Sequence, residues 1–156
     1  MRGLVQRVVR ASVDARIDAN APESGAMTRV GEIGAGLVVL LGVTHSDTEA
    51  TARKMAEKIW NLRIMDDADG VMNLSVADTT REVMVVSQFT LYGDTNAGRR
   101  PSWIGAARPE HAEPLVTRVV DELRRLGATV ATGRFRTYMN VSLVNDGPST
   151  VMIEIS

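Results

Sequence analysis

The sequence predicts an α+β fold in which a curled, largely antiparallel, barrel-like β-sheet carries two main helices on one side. Segments with the patterns of β-strands occur in consecutive groups, and two longer segments have the period of amphipathic helices. Their order along the chain is strands, helix, strands, helix, strands, and consecutive strands favour antiparallel pairing over a doubly wound parallel sheet. The length of 156 residues predicts a single domain that spans residues 1–156.

The first strands are predicted in the opening quarter of the chain. Residues 4–18 are rich in β-branched side chains, and apolar and polar residues alternate in the second half of this stretch, which is the period of a half-buried strand. The polar residues 20–25 predict a surface turn or an excursion within a long hairpin. Residues 37–41 form a short apolar run that predicts a central strand.

Two segments predict helices. The first begins at a capping box that Ser46 and Glu49 are predicted to form, and it runs to about residue 61 with its apolar residues on one face. The second spans about residues 109–126. Gly127 follows it, and glycine is common just beyond the C-terminus of a helix.

The remaining strands alternate with turns. Residues 83–86 predict another buried strand, whereas residues 139–144 and 149–155 predict two closing strands around a turn at residues 145–148. The acidic residues 66–70 are interpreted as a turn, because they lack the spaced ligands and the distal glutamate of a calcium-binding EF-hand loop.

The composition excludes several classes of protein. The 18 basic residues nearly balance the 19 acidic residues, so a wholly polybasic nucleic-acid binder is excluded, whereas a local basic patch is not. The absence of cysteine excludes disulfides, a thiolate nucleophile and a zinc site with cysteine ligands. The longest apolar run is far shorter than the ~20 residues that cross a bilayer, and the first residues do not form the apolar core of a signal peptide. We therefore expect a soluble, cytoplasmic protein.

Polar side chains follow abruptly after the predicted strand at residues 83–86. This segment reads Ser-Gln-Phe-Thr-Leu at residues 87–91 and offers hydroxyl groups, an amide that both donates and accepts, and an aromatic face. Strand ends hold site residues on a rigid backbone. Two interpretations stay open from this segment alone, namely a functional site and a strand end with polar caps.

A second segment, Asn-Asp-Gly-Pro-Ser-Thr at residues 145–150, contains a glycine followed by a proline. Peptide bonds before proline are the ones that adopt the cis form at an appreciable rate, ~5% in folded proteins. Glycine before proline permits a backbone geometry that a side chain would block. Taken alone, the segment is interpreted as an ordinary hairpin turn.

Together, the segments at residues 87–91 and 145–150 resemble the two signature motifs of the D-aminoacyl-tRNA deacylase family. Further segments match the pattern of that family in the same order and extend the resemblance to nearly the whole chain, namely residues 6–8, 11–13, 31–37, 72–74, 100–102, 132–135 and 141–144. Two departures stand out. The segment from residue 20 to residue 28 is longer than in the family pattern, and residues 136–138 read Arg-Thr-Tyr where the family usually has small residues followed by an acid.

The resemblance implies hydrolysis of the ester that joins a D-amino acid to the 3′-terminal ribose of tRNA. It also implies a homodimer with its site at the subunit interface, and no metal or other cofactor. A glycine–proline pair with a cis peptide bond enters the partner's pocket in this family, and Gly147 and Pro148 match that pair. A rigid main-chain carbonyl at this place would clash with L-aminoacyl esters. Glycyl esters have no Cβ, so we expect such a filter to admit them.

The resemblance and the chemistry of the side chains define a candidate site. Its candidate catalytic residues are Ser87, Gln88, Phe89 and Thr90; chiral selectivity is assigned to Gly147 and Pro148, the substrate pocket to Phe135, Met139, Asn145 and Thr150, and tRNA contacts to Arg7, Arg99, Arg100 and Arg134, with no metal ligand. We expect backbone amides around Phe89 and Thr90 to stabilise the oxyanion. We also expect Phe89 to stack on the terminal adenine and the ribose 2′-hydroxyl to assist an attacking water.

Two alternatives remain open. One is a non-catalytic tRNA-binding module, which would bind tRNA without releasing the amino acid. The other is a small-molecule esterase that uses Ser87 or Thr90 with His45 as the base, and it predicts that replacement of His45 abolishes activity. Thr90 is less favoured as a covalent nucleophile, because no base adjacent in sequence is evident to activate its hydroxyl group.

Overall fold

The computed structural model describes residues 1–16 and 25–156. The strands are β1 (Arg2–Ala15), β2 (Thr28–Ile33), β3 (Gly36–Gly42), β4 (Met65–Asp66), β5 (Met72–Leu74), β6 (Glu82–Ser87), β7 (Val130–Thr132) and β8 (Met139–Glu154); the α-helices are α1 (Glu49–Trp60) and α2 (Pro109–Leu126), and 3₁₀ turns span Val76–Asp78 and Phe89–Tyr92. The sequence-based interpretation of residues 20–25 falls largely outside the described residues.

The main sheet is mixed and curls into a nearly closed barrel. Its strands are ordered β2-β1-β3-β6-β7, and β8 pairs with β1. The three pairings of β1, with β2, β3 and β8, are antiparallel, whereas β3–β6 and β6–β7 are parallel. The two ends of the sheet approach each other at Gly31 on β2, where an added Cβ would lie 2.5 Å from the main-chain oxygen of Thr132 on β7. The predicted curled α+β fold is confirmed, with parallel pairing at one side.

Strands β3 and β6 are buried on both faces, which accounts for their continuous apolar runs in the sequence. On β6, Val83 and Val85 pack in the core between the sheet and the helices, whereas Met84 and Val86 pack in a second core on the opposite face. The period of two along a strand sends successive side chains to opposite faces. The same alternation continues to Ser87, the last residue of β6.

The segment that was interpreted as a hairpin turn lies inside a single strand. Both halves of β8 pair with β1: Val144 lies opposite Arg10, and Glu154 lies opposite Arg2. The register shifts twice near Val8, so the residues around 146–149 form a bulge in β8. The prediction of two closing strands is therefore wrong, because the alternating pattern resumes on the same partner strand after the bulge.

The helices agree with the predicted spans, but the residue that caps the N-terminus of α1 differs from the predicted one. The capping residue is Thr48, whose hydroxyl group accepts from the amide of Thr51 at 3.4 Å, so the predicted box of Ser46 and Glu49 is wrong. The reason is Asp47, which is buried and whose carboxylate accepts from the amide of Thr44 at 2.8 Å. These residues form a tight turn before the helix begins. In the described part of the chain, no helix is long and apolar enough to cross a membrane.

The acidic segment at residues 66–70 forms a turn, as predicted. The Asp67 carboxylate accepts from the amides of Asp69 and Val71, both at 3.0 Å. The hydrogen bond from Val71 is the main cause that lowers the pKa of Asp67. The carboxylate therefore stabilises the turn between β4 and β5.

Candidate active site

The polar segment after β6 lines a large cavity at the described surface. Ser87 ends β6, and the amide of Gln88 donates to the main-chain oxygen of Leu41 at 2.8 Å, which ties the segment to β3. The chain then enters the 3₁₀ turn Phe89–Tyr92. The cavity has a volume of about 780 Å³ and is lined by Ser87, Gln88, Phe89 and Thr90. The structure thus brings together the four candidate catalytic residues at one wall.

Two of the four predicted pocket residues face the same cavity. Phe135 lines it from the segment that connects β7 with β8, and Met139 lines it from the start of β8. The Met139 sulfur atom accepts from the amide of Arg134 at 3.3 Å, which fixes this connection. Phe135 and Met139 therefore line the cavity together with residues of the 3₁₀ turn.

An aromatic pair lies at the mouth of the cavity. The rings of Phe89 and Trp103 meet edge to face, with their centroids 5.4 Å apart and their planes at 73°. Phe89 is 57% exposed and Trp103 is 42% exposed. Exposed aromatic faces at a cavity suit a planar heterocycle, because stacking tolerates any base. The sequence interpretation missed Trp103, which lies far along the loop after the motif.

Two neighbouring backbone amides are free to bind an anion at this wall. Neither the amide of Phe89 nor that of Thr90 donates a hydrogen bond to another described residue, whereas the amides of Gln88, Leu91 and Gly93 all do. Amides in this state can stabilise negative charge that develops on a carbonyl oxygen. The Thr90 hydroxyl accepts a hydrogen bond from the Gln88 side chain. Because the neutral amide of Gln88 is not a base, this contact does not activate the hydroxyl group as a nucleophile.

The two histidines are engaged elsewhere. His45 Nε2 lies 2.8 Å from the main-chain oxygen of Ile104, and His111 Nε2 lies 2.9 Å from that of Asp47. Neither residue lines the cavity. Burial raises the pKa of Tyr92, the last residue of the 3₁₀ turn, to about 12, so its phenol stays protonated at neutral pH. The structure does not join Ser87 or Thr90 to a histidine base.

The other two predicted pocket residues, Asn145 and Thr150, do not line this cavity. The Asn145 side chain spans the bulge of β8: its Oδ1 accepts from the amide of Ser149 at 2.7 Å, and its Nδ2 donates to the Ser149 main-chain oxygen and to the Thr150 hydroxyl, both at 3.2 Å. Within one chain both residues stabilise the bulge, and their contact with a substrate stays a prediction. They hold Gly147 and Pro148, which are exposed and joined by a cis peptide bond.

Arg7 is buried beneath the same bulge. Its Nε donates to the main-chain oxygen of Asp146 at 3.1 Å, and a terminal nitrogen donates to Ile64 at 2.8 Å and to Asp66 at 3.0 Å. Arg7 is only 6% exposed. Its Nε and one terminal nitrogen bind groups inside the protein, so Arg7 supports the bulge, and its contact with tRNA stays a prediction.

The other predicted basic residues are exposed. Arg99 and Arg100 lie in the loop closed by the Asp94–Ser102 bridge, and Arg134 lies next to Phe135. Arg136, which the sequence interpretation did not include, lines the cavity itself. In the described residues, no group of three or more side chains has the composition of a metal site.

Comparison with known proteins matches residues 4–154 to the family model described as D-Tyr-tRNA(Tyr) deacylase. A D-aminoacyl-tRNA deacylase of Heliobacterium modesticaldum is 53% identical over 99% of this chain and 96% of its own length. The same-named protein of Streptomyces avermitilis is 54% identical over 99% of both chains.

Two solved structures are similar over nearly their whole lengths. One is described as a c-Myc DNA unwinding element binding protein, with a TM-score of 0.88 and 35% identity over 100% of this chain and 99% of the other. The second is described as a probable eukaryotic D-amino acid tRNA deacylase, with a TM-score of 0.78 over 99% of this chain and 98% of the other. At 16% identity, the second comparison concerns the fold alone.

Proposed function

Because the chain belongs to the D-Tyr-tRNA(Tyr) deacylase family, we propose that it hydrolyses the ester bond between a D-amino acid and the 3′-terminal ribose of tRNA. The observation that carries this proposal is the match to the family over residues 4–154. The cavity beside residues 87–90 has the size and the aromatic lining that an aminoacylated adenosine requires. We place the reaction in the cytoplasm, where aminoacyl-tRNA is used.

The chemistry we propose is direct attack of water on the ester carbonyl. The attacking oxygen forms the new C–O bond, the ribose oxygen leaves, and a proton passes to that oxygen, so the products are a free D-amino acid and tRNA. The free amides of Phe89 and Thr90 would stabilise the oxyanion of the tetrahedral intermediate. The ribose 2′-hydroxyl group would orient the water, which is consistent with the absence of a histidine from the cavity lining.

The bulge of β8 is our candidate for chiral selection. Gly147 and Pro148 are exposed and do not line the cavity of their own chain. They can meet a substrate in such a cavity only if a second copy of the chain supplies them, so we propose a homodimer in which each bulge enters the partner's site. A main-chain carbonyl there cannot rotate away from an L-aminoacyl side chain. Glycyl esters would escape this filter.

The contacts with tRNA are assigned to exposed aromatic and basic side chains. Phe89 would stack on the terminal adenine. Arg99, Arg100 and Arg134 would meet phosphates, since they are exposed cations. Phe135 and Met139 would contact the aminoacyl adenosine, since both line the cavity.

The test is deacylation of D-tyrosyl-tRNA beside L-tyrosyl-tRNA by the full chain. We expect release of D-tyrosine at a rate well above the spontaneous one and little release of L-tyrosine. Equal rates on the two substrates would contradict the proposed chiral filter. Binding of tRNA without release of the amino acid would favour a non-catalytic binding module. Hydrolysis of simple amino-acid esters that depends on His45 would favour a small-molecule esterase.

A further inference from the structure

The segment between β7 and β8 carries an unusual arginine at the rim of the cavity. Arg136 lines the cavity together with the 87–90 segment and is exposed. Its backbone has a φ of 60°, and it is the one non-glycine residue with positive φ among the described residues. Non-glycine residues adopt this conformation rarely, and such positions concentrate at functional sites. The backbone thus turns sharply at the cavity mouth.

The Arg136 side chain is unpaired. No other described residue forms a hydrogen bond or an ion pair with its guanidinium group, whereas Arg7, Arg29 and Arg125 all bind carboxylates. A free guanidinium at the edge of an aromatic cavity is ready to bind a phosphodiester group.

Tyr138 lies beside it and is held in place. The Arg16 guanidinium carbon lies 4.7 Å from the centre of its ring, and the Arg16 amide donates to the Tyr138 main-chain oxygen at 2.9 Å. The Thr137 hydroxyl donates to the main-chain oxygen of Arg134 at 3.0 Å, which fixes the turn between them. Tyr138 nevertheless remains 62% exposed and also lines the cavity.

We propose that Tyr138 and Arg136 form a subsite for the nucleotide that precedes the terminal adenosine of the tRNA substrate. The base of this nucleotide stacks on the accessible surface of Tyr138, and Arg136 binds the phosphodiester that joins it to the adenosine. Single-stranded RNA ends are bound by aromatic platforms and nearby cations in this way. The subsite rests on the proposed function, because it assumes that the cavity holds the terminal adenosine.

The geometry supports this order of contacts. With the adenosine in the cavity beside Phe89, its 5′-phosphate leads out toward solvent, and Arg136 is an exposed cation of the cavity lining. The preceding base then lies outside the cavity, next to the exposed Tyr138. A tyrosine backed by a cation is a rigid platform, and it loses little conformational freedom when a base binds.

The experiment compares two D-tyrosyl esters, one of adenosine and one of the dinucleotide cytidylyl-adenosine. For the Tyr138→Ala and Arg136→Ala variants, we expect the ratio of kcat/KM for the dinucleotide ester to that for the adenosine ester to fall about 5- to 100-fold below the wild-type ratio. The loss should appear mainly in KM. Tyr138→Phe keeps the ring and should restore the ratio, whereas Tyr138→Leu should not.

The control removes a cation elsewhere. Lys54 is exposed on α1 and does not line the cavity, so Lys54→Ala should keep the wild-type ratio. An unchanged ratio in the Tyr138 and Arg136 variants, or equal losses on both esters, would overturn the proposal.

A binding measurement keeps this test separate from the proposed activity. Cytidylyl-adenosine and adenosine 5′-monophosphate are titrated into the wild-type chain and the same variants, and the two dissociation constants are compared. We expect the wild-type preference for the dinucleotide to disappear in Tyr138→Ala even if no ester is hydrolysed. Failure of hydrolysis with this preference intact would overturn the proposed function alone, whereas the absence of any preference would overturn the subsite.

Discussion

The Nε atom of Arg7 lies 3.1 Å from the main-chain oxygen of Asp146, so a buried guanidinium on β1 supports the residue that precedes Gly147 and Pro148. The same side chain reaches the main-chain oxygen of Ile64 and the carboxylate of Asp66. One arginine therefore connects the bulge of β8 with the hairpin that begins at β4. This relationship makes the position of the bulge depend on a buried side chain.

Arg7→Ala is expected to weaken both the fold and the activity. The substitution leaves buried acceptors without their donor, at a cost of about 2 kcal/mol of unfolding free energy. It also releases the bulge, so hydrolysis of D-tyrosyl-tRNA should fall more than the fraction of folded protein does. Thermal unfolding and deacylation rates measure the two effects. Arg29→Ala is the control, since Arg29 pairs with Asp14 at the surface, and its loss should change the unfolding free energy by less than ~1 kcal/mol. Equal effects of the two variants would contradict the role of Arg7 as a support of the bulge.

Gly147→Ala should disturb the bulge through a steric clash. The residue has a φ of 137°, and an added Cβ would lie 2.9 Å from the amide nitrogen of Ser149. Gly70 also has positive φ, but an added Cβ there meets nothing within 4 Å, so Gly70→Ala should cost only about 1 kcal/mol. We expect Gly147→Ala to cost more and to reduce the discrimination between D- and L-tyrosyl-tRNA. Normal discrimination in a folded Gly147→Ala protein would argue against a role of the bulge in chiral selection.

Thr90→Ala separates water attack from covalent catalysis. Loss of the hydroxyl group removes one hydrogen bond with Gln88, and the backbone amide remains, so the rate of D-tyrosyl-tRNA hydrolysis should fall by about tenfold or less. Removal of a covalent nucleophile would instead cost ~10⁴-fold or more. Single-turnover kinetics decide between these outcomes. His45→Ala serves as the companion variant and should be mild, because His45 does not reach the cavity.

Trp103→Ala tests the aromatic wall. The ring packs against Phe89 at the cavity mouth, so its removal should raise KM for D-tyrosyl-tRNA by about 5- to 100-fold, in the range of lost stacking on a base. The neighbouring residue, Ile104, is 85% exposed and does not line the cavity. Ile104→Ala should therefore leave KM close to that of the wild type. A larger effect at Ile104 than at Trp103 would mean that the loop acts through its position and not through the ring.

Local patterns predicted most of the elements. Helix α2 spans Pro109–Leu126 as its apolar period indicates, and β3 and β6 coincide with the apolar runs. These elements are encoded by neighbouring residues, whose period is set by the geometry of helices and strands. The resemblance of residues 87–91 to a family motif likewise located one wall of the cavity.

The differences arose where a specific side-chain contact decides the structure and the pattern of apolar and polar residues does not show it. The buried carboxylate of Asp47 moved the cap of α1 to Thr48. Nothing local to Arg7 shows that its guanidinium will be covered by residues far away in the chain, and a surface cation was the natural expectation. The motif that contains Asn145 does not show that its side chain binds Ser149, four residues later, and shapes the bulge. The role of Trp103 depends on how the loop folds back onto Phe89.

The pairing of β1 with β8 has a consequence for how the chain acquires its structure. Arg2 lies opposite Glu154, and the ladder continues to Ala15 and Met139. During synthesis, the first strand leaves the ribosome long before its longest partner exists. Contacts between such remote segments slow folding, because a large loop must close before they form. The edge of β1 that pairs with β8 therefore keeps its backbone N–H and C=O groups unpaired on the nascent chain until the last strand emerges.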